Sequence, residues 1–397
     1  QSIRLGIEKL AKAIPLSFIV LEAGTSEFTP TSYEKTLEWL NLAANVAAEN
    51  QIALTTKVHV STNQHHAKWG NYNFLPQHTN NNVGILAHTV MFYGLLDSKT
   101  PIYGNKDFSD MRNFILQERT KRPTWYYPET SYWVGMDLDI PLLLTDYLRT
   151  RTEDFKWLHD QKIEGHLNFT TGHALAGWLM DWNLALITDM DYQFNPLIGL
   201  QLLGEPVKLW LAHMEFQKLW FKEKGLIASL SAANLQDELS ETERIHDRNT
   251  MKQLSNNPGE VKRELKLLEE ALVLWPSWAE VKNRELRELL QNTWRRHNHA
   301  IFLRKAIREP AKRAEFLAQA ESQRKQMQDS LKELSKLPTN YPDLPLFEKH
   351  TNPTSYQFGY AYPAASGYFW EREEVQIRHS RFFPFNGNMY DVWNILF

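Results

Sequence analysis

The sequence predicts an α/β fold: a (β/α)8-type barrel, followed by an α-helical bundle and a short β tail. Two observations carry that expectation. The first ~200 residues alternate short apolar runs with amphipathic stretches, the pattern of βα units around a parallel sheet. Beyond Gly172, and as far as Lys336, the apolar residues recur at helical spacing instead. With 397 residues, 43% of them hydrophobic and 23% charged, the chain is long enough for two or more cores.

The elements follow in order. Residues 17–23 (Ser-Phe-Ile-Val-Leu-Glu-Ala) read as a buried strand, and 24–30 as its loop. Ser32 caps a helix reaching about Asn50, because Leu37, Leu40, Ala44 and Ala47 are spaced to bury one face. Further strands are expected over 52–60, 83–95, 124–127 and 165–170, with helices over 108–118, opened by Ser109 or Asp107, and over 141–150. Five strands do not close an eight-stranded barrel. The first strands are therefore expected upstream of Gln1 or in stretches without a readable strand pattern.

The helical part begins with an apolar, Trp-bearing stretch over 197–224, and a further helix is expected within 235–254. The Asn-Asn-Pro-Gly turn at 256–259 starts a helix to Leu274, Pro276 opens the next to about Asn298, and Pro310 opens the last. In that last helix Leu317, Ala320, Met327, Leu331 and Leu334 form a stripe suited to an antiparallel bundle. The rings at Phe358, Tyr360 and Tyr362 alternate as in a strand. Three domains are expected: a catalytic barrel over 1–196, a bundle over 197–336, and a β-containing segment over 337–397.

Residues 123–134 (Pro-Thr-Trp-Tyr-Tyr-Pro-Glu-Thr-Ser-Tyr-Trp-Val) carry the functional expectation. They surround one carboxylate, Glu129, with Trp125, Tyr126, Tyr127, Tyr132 and Trp133. Flat rings suit the C–H face of a pyranose, and a carboxylate among them can protonate a glycosidic oxygen. The same stretch also reads as an aromatic strand filling a core, with Glu129 solvated.

A parallel barrel places its active site at the carboxyl ends of its strands. Those ends supply Glu22, His59 with Asn63, Tyr93 with Asp97, Glu129, and His173, with Asp181 and Trp178 just beyond. Glu129 is the expected acid, with a pKa raised by the surrounding rings, and Glu22, Asp97 or Asp181 is its partner. Trp125, Tyr126, Tyr132, Trp133, His59, Asn63, Tyr93, His173 and Trp178 are expected to hold substrate.

The succession Val-Leu-Glu-Ala-Gly, Lys-Val-His-Val-Ser, Trp-Tyr-Tyr-Pro-Glu-Thr and Gly-His-Leu-Asn-Phe-Thr-Thr-Gly, then a helical domain, resembles (β/α)8-barrel glycoside hydrolases with an appended bundle. The hexosaminidase-like families are similar in layout. The resemblance covers about residues 16–335 as architecture. The adjacent acidic pair of substrate-assisted hexosaminidases is absent from these strand ends, so no residue role transfers from them. It implies hydrolysis of a polysaccharide or complex glycan.

Two alternatives stand beside it. One is a non-catalytic glycan-binding protein on a barrel-like fold. The other is a metal-dependent hydrolase in which His59, His88 and His166 converge with Glu129 on a divalent ion, although the His-x-His pair usual on the first strand of such enzymes is missing.

Composition narrows the classes further. A net charge of −3 leaves no electrostatic footprint for nucleic acid, and no apolar run approaches the ~18 to 20 residues of a membrane span. There is no cysteine, hence no disulfide, thiolate metal site or thiol nucleophile. No Walker loop, Gly-x-Gly-x-x-Gly or Gly-x-Ser-x-Gly occurs, which argues against nucleotide and α/β-hydrolase chemistry. No cofactor or metal is expected, the partner is a carbohydrate, and the bundle could pair copies of the chain. Absence of cysteine with 14 Trp and 15 Tyr suggests a periplasmic or secreted protein, otherwise a cytoplasmic one. The first residues carry no charged-then-apolar leader.

Overall fold

The computed structural model describes residues 2–22, 32–60, 65–100, 106–130, 142–163, 165–170, 174–189, 194–230, 250–334, 370–371 and 373–378. Tyr132, Trp133, Asn63 and His173, and the rings at Phe358, Tyr360 and Tyr362, lie outside the described residues. The chain divides into two compact units, one of residues 1–129 and 153–169, the other of 130–152 and 170–397.

In the first unit, α1 (Ser2–Ala13) precedes β1 (Phe18–Leu21), and α2 (Tyr33–Glu49) leads to β2 (Ala53–Val58). A two-residue hairpin, β3 (His65–His66) and β4 (Gly70–Asn71), runs into a 3-10 turn before β5 (Val83–His88). Then come α3 (Ser109–Glu118), β6 (Thr124–Tyr127) and α4 (Asp146–Asp160), whose second half belongs to this unit. Ser32 accepts from the Lys35 N–H to cap α2, and Asn50 closes it, as its sequence implies.

The sheet runs β1-β2-β5-β6, all parallel. Residues 165–169 continue it, with parallel bridges Tyr126↔His166 and Glu129↔Phe169. Each main strand lies beside its predecessor, with no reversal of strand order among these four. Register assigns the faces. Phe18, Val20, Thr55, Lys57, Gly84, Leu86, His88, Trp125 and Tyr127 share one side, because side-by-side residues in a sheet point the same way. Ile19, Leu21, Leu54 and Val83 occupy the other, packed on Ala43, Ala44 and Ala47 of α2 and Ile7 of α1.

The first face is concave. Phe18 on β1 and Trp125 on β6 are three strand spacings apart, about 14 Å across a flat sheet, yet their ring centroids lie 5.0 Å apart. Only a strongly curled sheet brings them together. Among the described residues the sheet does not close.

The third strand stops at His88 rather than Leu95 because the backbone beyond it has other partners. Met91 N–H bonds the Glu129 carboxylate, and Leu95 N–H bonds Asp154 at 2.7 Å. Buried carboxylates thus satisfy amides that a ladder would otherwise have used.

The second unit is helical. It contains α5 (Ala174–Ile187), α6 (Ile198–Leu202), α7 (Val207–Gln217) with a π-helical extension over Lys218–Glu223, α8 (Ile227–Leu230) and α9 (Thr250–Ser255). The long members are α10 (Pro258–Val273), α11 (Arg284–Arg308) and α12 (Arg313–Leu334). Asn257 caps α10, and Leu317, Ala320, Met327, Leu331 and Leu334 are all buried on α12. Asn292 meets Ser330, and Ala306 packs in the same cluster as Leu317, so α11 and α12 run antiparallel.

Two expected helices shift. The one expected over 141–150 starts at Asp146, because Leu143 N–H is given to Thr293 and its C=O to Gln217. The one expected from Pro276 starts at Arg284, after Glu205 takes the Lys282 and Asn283 N–H groups and Asn283 caps the turn. In the expected β tail, the described residues between 370 and 378 are helical. Among the described residues no helix is long and apolar enough to cross a membrane.

Candidate functional site

The concave face changes character along the strands. Its lower layers are packed: a Cβ at Gly84 would meet Thr55 Cγ2 at 2.6 Å, and one at Gly165 would meet the Trp125 ring at 2.6 Å. Trp125 is half-buried, with Phe18 and Gly165 against its ring. Toward the carboxyl ends the residues turn polar. Glu22, Lys57, His59, His88, Tyr127 and Glu129 gather there from four successive strands of one sheet.

Glu129 is only 3% exposed. Its Oε2 accepts the Met91 N–H, and its Oε1 lies 3.1 Å from His88 Nε2. Met91 has φ +55, a left-handed backbone that a non-glycine residue adopts at a cost and that concentrates at functional sites. His88 Nδ1 lies 2.8 Å from the Tyr127 carbonyl, which can only accept, so Nδ1 carries a proton.

The neighbours set the electrostatics. His59 stacks on His88 at 4.7 Å between centroids and is held neutral, its pKa well below 6.5, by burial first and then by His88 and Lys57. Burial raises the Tyr127 phenol, and the charges of Glu22 and Glu129 raise it further. Glu22 pairs with Lys57 at 2.8 Å and remains 43% exposed at the rim.

The other expected site residues separate from this group. Tyr126 alternates onto the opposite face, fully buried, with its hydroxyl 2.6 Å from Asp154 and 2.7 Å from Thr89, so it does not join Tyr127. Asp97 takes the Gly94 N–H at 2.8 Å and caps its own turn. Tyr93 is buried beside Phe92. In the second unit Asp181 accepts from Thr130 and, at 3.0 Å, from Thr170, while Trp178 donates to Glu285 at 2.6 Å.

The metal alternative loses a ligand. His166 bridges Tyr126 and packs edge-on to Phe155 of α4, on the outer side of the sheet, away from His88. Among the described residues no group of three or more His, Asp or Glu side chains is arranged to hold a metal ion. The sequence brings His88 to Glu129 only through a shared metal ion, not as a direct neighbour, and it places Tyr127 only among the rings around Glu129. Period-two alternation along 124–127 was the available signal separating Tyr127 from Tyr126.

No family model matches the chain, and no curated protein matches it. Among solved structures it is similar to a mutant O-GlcNAc hydrolase from Thermobaculum terrenum, at 11% identity over 96% of this chain and 93% of that one, with a TM-score of 0.22. A score that low defines no common path for the two backbones.

Proposed function

We propose that this chain is a carbohydrate-active enzyme of the glycoside hydrolase type, with Glu129 as its acid and Glu22 as the second carboxylate. The observation that carries the reading is the Glu129–His88 pair, set beside Tyr127 at the carboxyl ends of adjacent parallel strands on a concave face. Parallel α/β sheets bind ligands outside those ends.

In the reaction Glu129 gives a proton to the glycosidic oxygen as the C–O bond breaks. Water supplies the hydroxyl of the new sugar end, and its remaining proton returns to Glu129. Glu22 is preferred to Asp97 and Asp181 because its charge, like that of Glu129, acts on the Tyr127 phenol.

A second reading has its own support. Glu129 is almost entirely buried with Oε2 engaged, as suits a carboxylate that braces a sugar-binding loop without chemistry. One experiment separates the two: reducing-end release from a panel of polysaccharides and glycans, alongside binding to the same panel, for the wild type and Glu129→Gln. The hydrolase reading expects wild-type turnover that falls ~10²-fold or more in the variant while binding persists. Binding without turnover in either protein selects the brace, and an unimpaired variant removes Glu129 as the acid.

A further inference from the structure

We propose that His88 and Glu129 form a dyad that holds one proton between them, with His88 as the positioning residue that governs when Glu129 is protonated. As a claim about catalysis this rests on Glu129 being the acid; as a claim about proton count it stands on the geometry alone.

The count follows from the donors. Nδ1 of His88 faces a backbone carbonyl at 2.8 Å and must donate to it. That fixes the tautomer, and Nε2 lies 3.1 Å from Glu129 Oε1. A neutral imidazole with its hydrogen on Nδ1 presents a lone pair at Nε2, and an ionised carboxylate presents lone pairs at both oxygens. Two lone pairs at that distance, both buried, repel, so a proton lies between them, on the imidazole or on the carboxyl.

The surroundings hold that arrangement. Met91 N–H donates to Oε2, the carboxylate oxygen other than the one near the ring. His59, stacked on His88, stays neutral and adds no competing cation. Phe169 meets both His88 and Tyr127 edge-on, at 6.0 and 5.9 Å, and covers the pair with apolar surface. Among the described residues, the charged and titratable groups around the dyad include Glu22 from the end of β1, Lys57 and His59 from β2, and Tyr127 from β6. Glu22 and Lys57 neutralise each other at 2.8 Å.

In a glycosidase the consequence would be a store for the catalytic proton. His88 would share with Oε1 the proton that water returns to Glu129 at the end of each turnover.

The test is nitrogen NMR of the ¹⁵N-histidine-labelled full chain at pH 7, with Glu129→Gln and His88→Gln as comparisons. The expected wild-type spectrum shows a protonated Nδ1 for His88 and a downfield proton bridging Nε2. That proton is lost in both variants, and Nε2 becomes an unprotonated acceptor in Glu129→Gln. A wild-type Nε2 that is unprotonated, has no bridging proton and is unchanged in Glu129→Gln overturns the proposal, and the wild-type spectrum is decisive even should a variant fold poorly.

Kinetics then separates this inference from the functional reading. His88→Gln should reduce kcat at least tenfold and reshape the pH profile, with KM little changed. An unaltered pH profile in His88→Gln beside an inactive Glu129→Gln defeats the dyad and leaves the hydrolase reading intact. A bridging proton in the wild type together with a fully active Glu129→Gln variant supports the dyad and defeats Glu129 as the acid.

Discussion

Gly165 lies flat against the indole of Trp125, so near that a Cβ built on the glycine would stand 2.6 Å from three ring atoms. The fifth strand can run beside β6 at this level only without a side chain. Gly165→Ala should therefore overpack the concave interior and cost about 1 to 3 kcal/mol, read as a lower urea midpoint. Gly6 is the control: it is in helix α1 with nothing within 4 Å of its added Cβ, and Gly6→Ala should stabilise by about 0.5 to 1 kcal/mol. Equal effects at the two positions would refute the packing argument.

Arg122 is a second anchor. Its guanidinium pairs with Glu118 at 2.9 Å and reaches the carbonyls of Pro76, Asn80 and Val83, with both side chains of the pair about 1% exposed or less. Arg122→Met would leave Glu118 buried with only Lys121 beside it, and a loss of about 3 to 5 kcal/mol is expected in chemical denaturation. Arg122→Lys should recover little of it, because an ammonium cannot span that fork of acceptors.

Acid should unfold the protein through its histidines. Burial lowers His59 and His166, and it takes His213 and His297 from 6.5 to about 4. For a base whose folded pKa is depressed, the unfolded chain binds the proton first. Stability is complete above about pH 6.5 and falls as the pH drops toward 4. His213 alone accounts for something on the order of 3 kcal/mol across that window. His213→Gln should flatten the pH dependence of the melting temperature between pH 6.5 and 4, and an unchanged slope would contradict the assignment.

The helical residues between 370 and 378 should act as a clamp on the second unit. Glu373 pairs with Arg296, and Glu374 takes two bonds from Arg324, at 2.9 and 3.1 Å, and lies 3.1 Å from His299. All of these groups are buried or nearly so. Glu374→Ala would leave Arg324 with only the longer contacts to Glu371 at 3.8 Å and Gln328 at 3.4 Å, and should lower stability by about 3 kcal/mol. Combining it with Arg324→Met should restore part of the loss, and additive losses in a double-mutant cycle would show that the two do not couple.

Local rules made much of this chain legible. Ser32 and Asn257 announce helices because a short side chain that bonds the first turn's N–H groups acts within a few residues. The stripe from Leu317 to Leu334 specifies a buried helix face by spacing alone. The strands at 18–21, 53–58 and 124–127 stand out as short runs rich in β-branched and aromatic residues. Alternation along the last of these already separates Tyr127 from Tyr126, since neighbours on a strand point to opposite faces.

The partners of Glu129 are another matter. An aromatic stretch around one carboxylate marks a candidate residue, but Met91, which holds Oε2, lies 38 positions earlier in the chain. Only the register of β5 on β6 puts His88 beside Tyr127, and only the curl that joins Phe18 to Trp125 makes their shared face concave. Sequence periodicity determined what each segment becomes, because those preferences act over a few residues. Strand pairing and packing between distant segments decided which carboxylate meets which imidazole, because those contacts exist only once the chain has closed on itself.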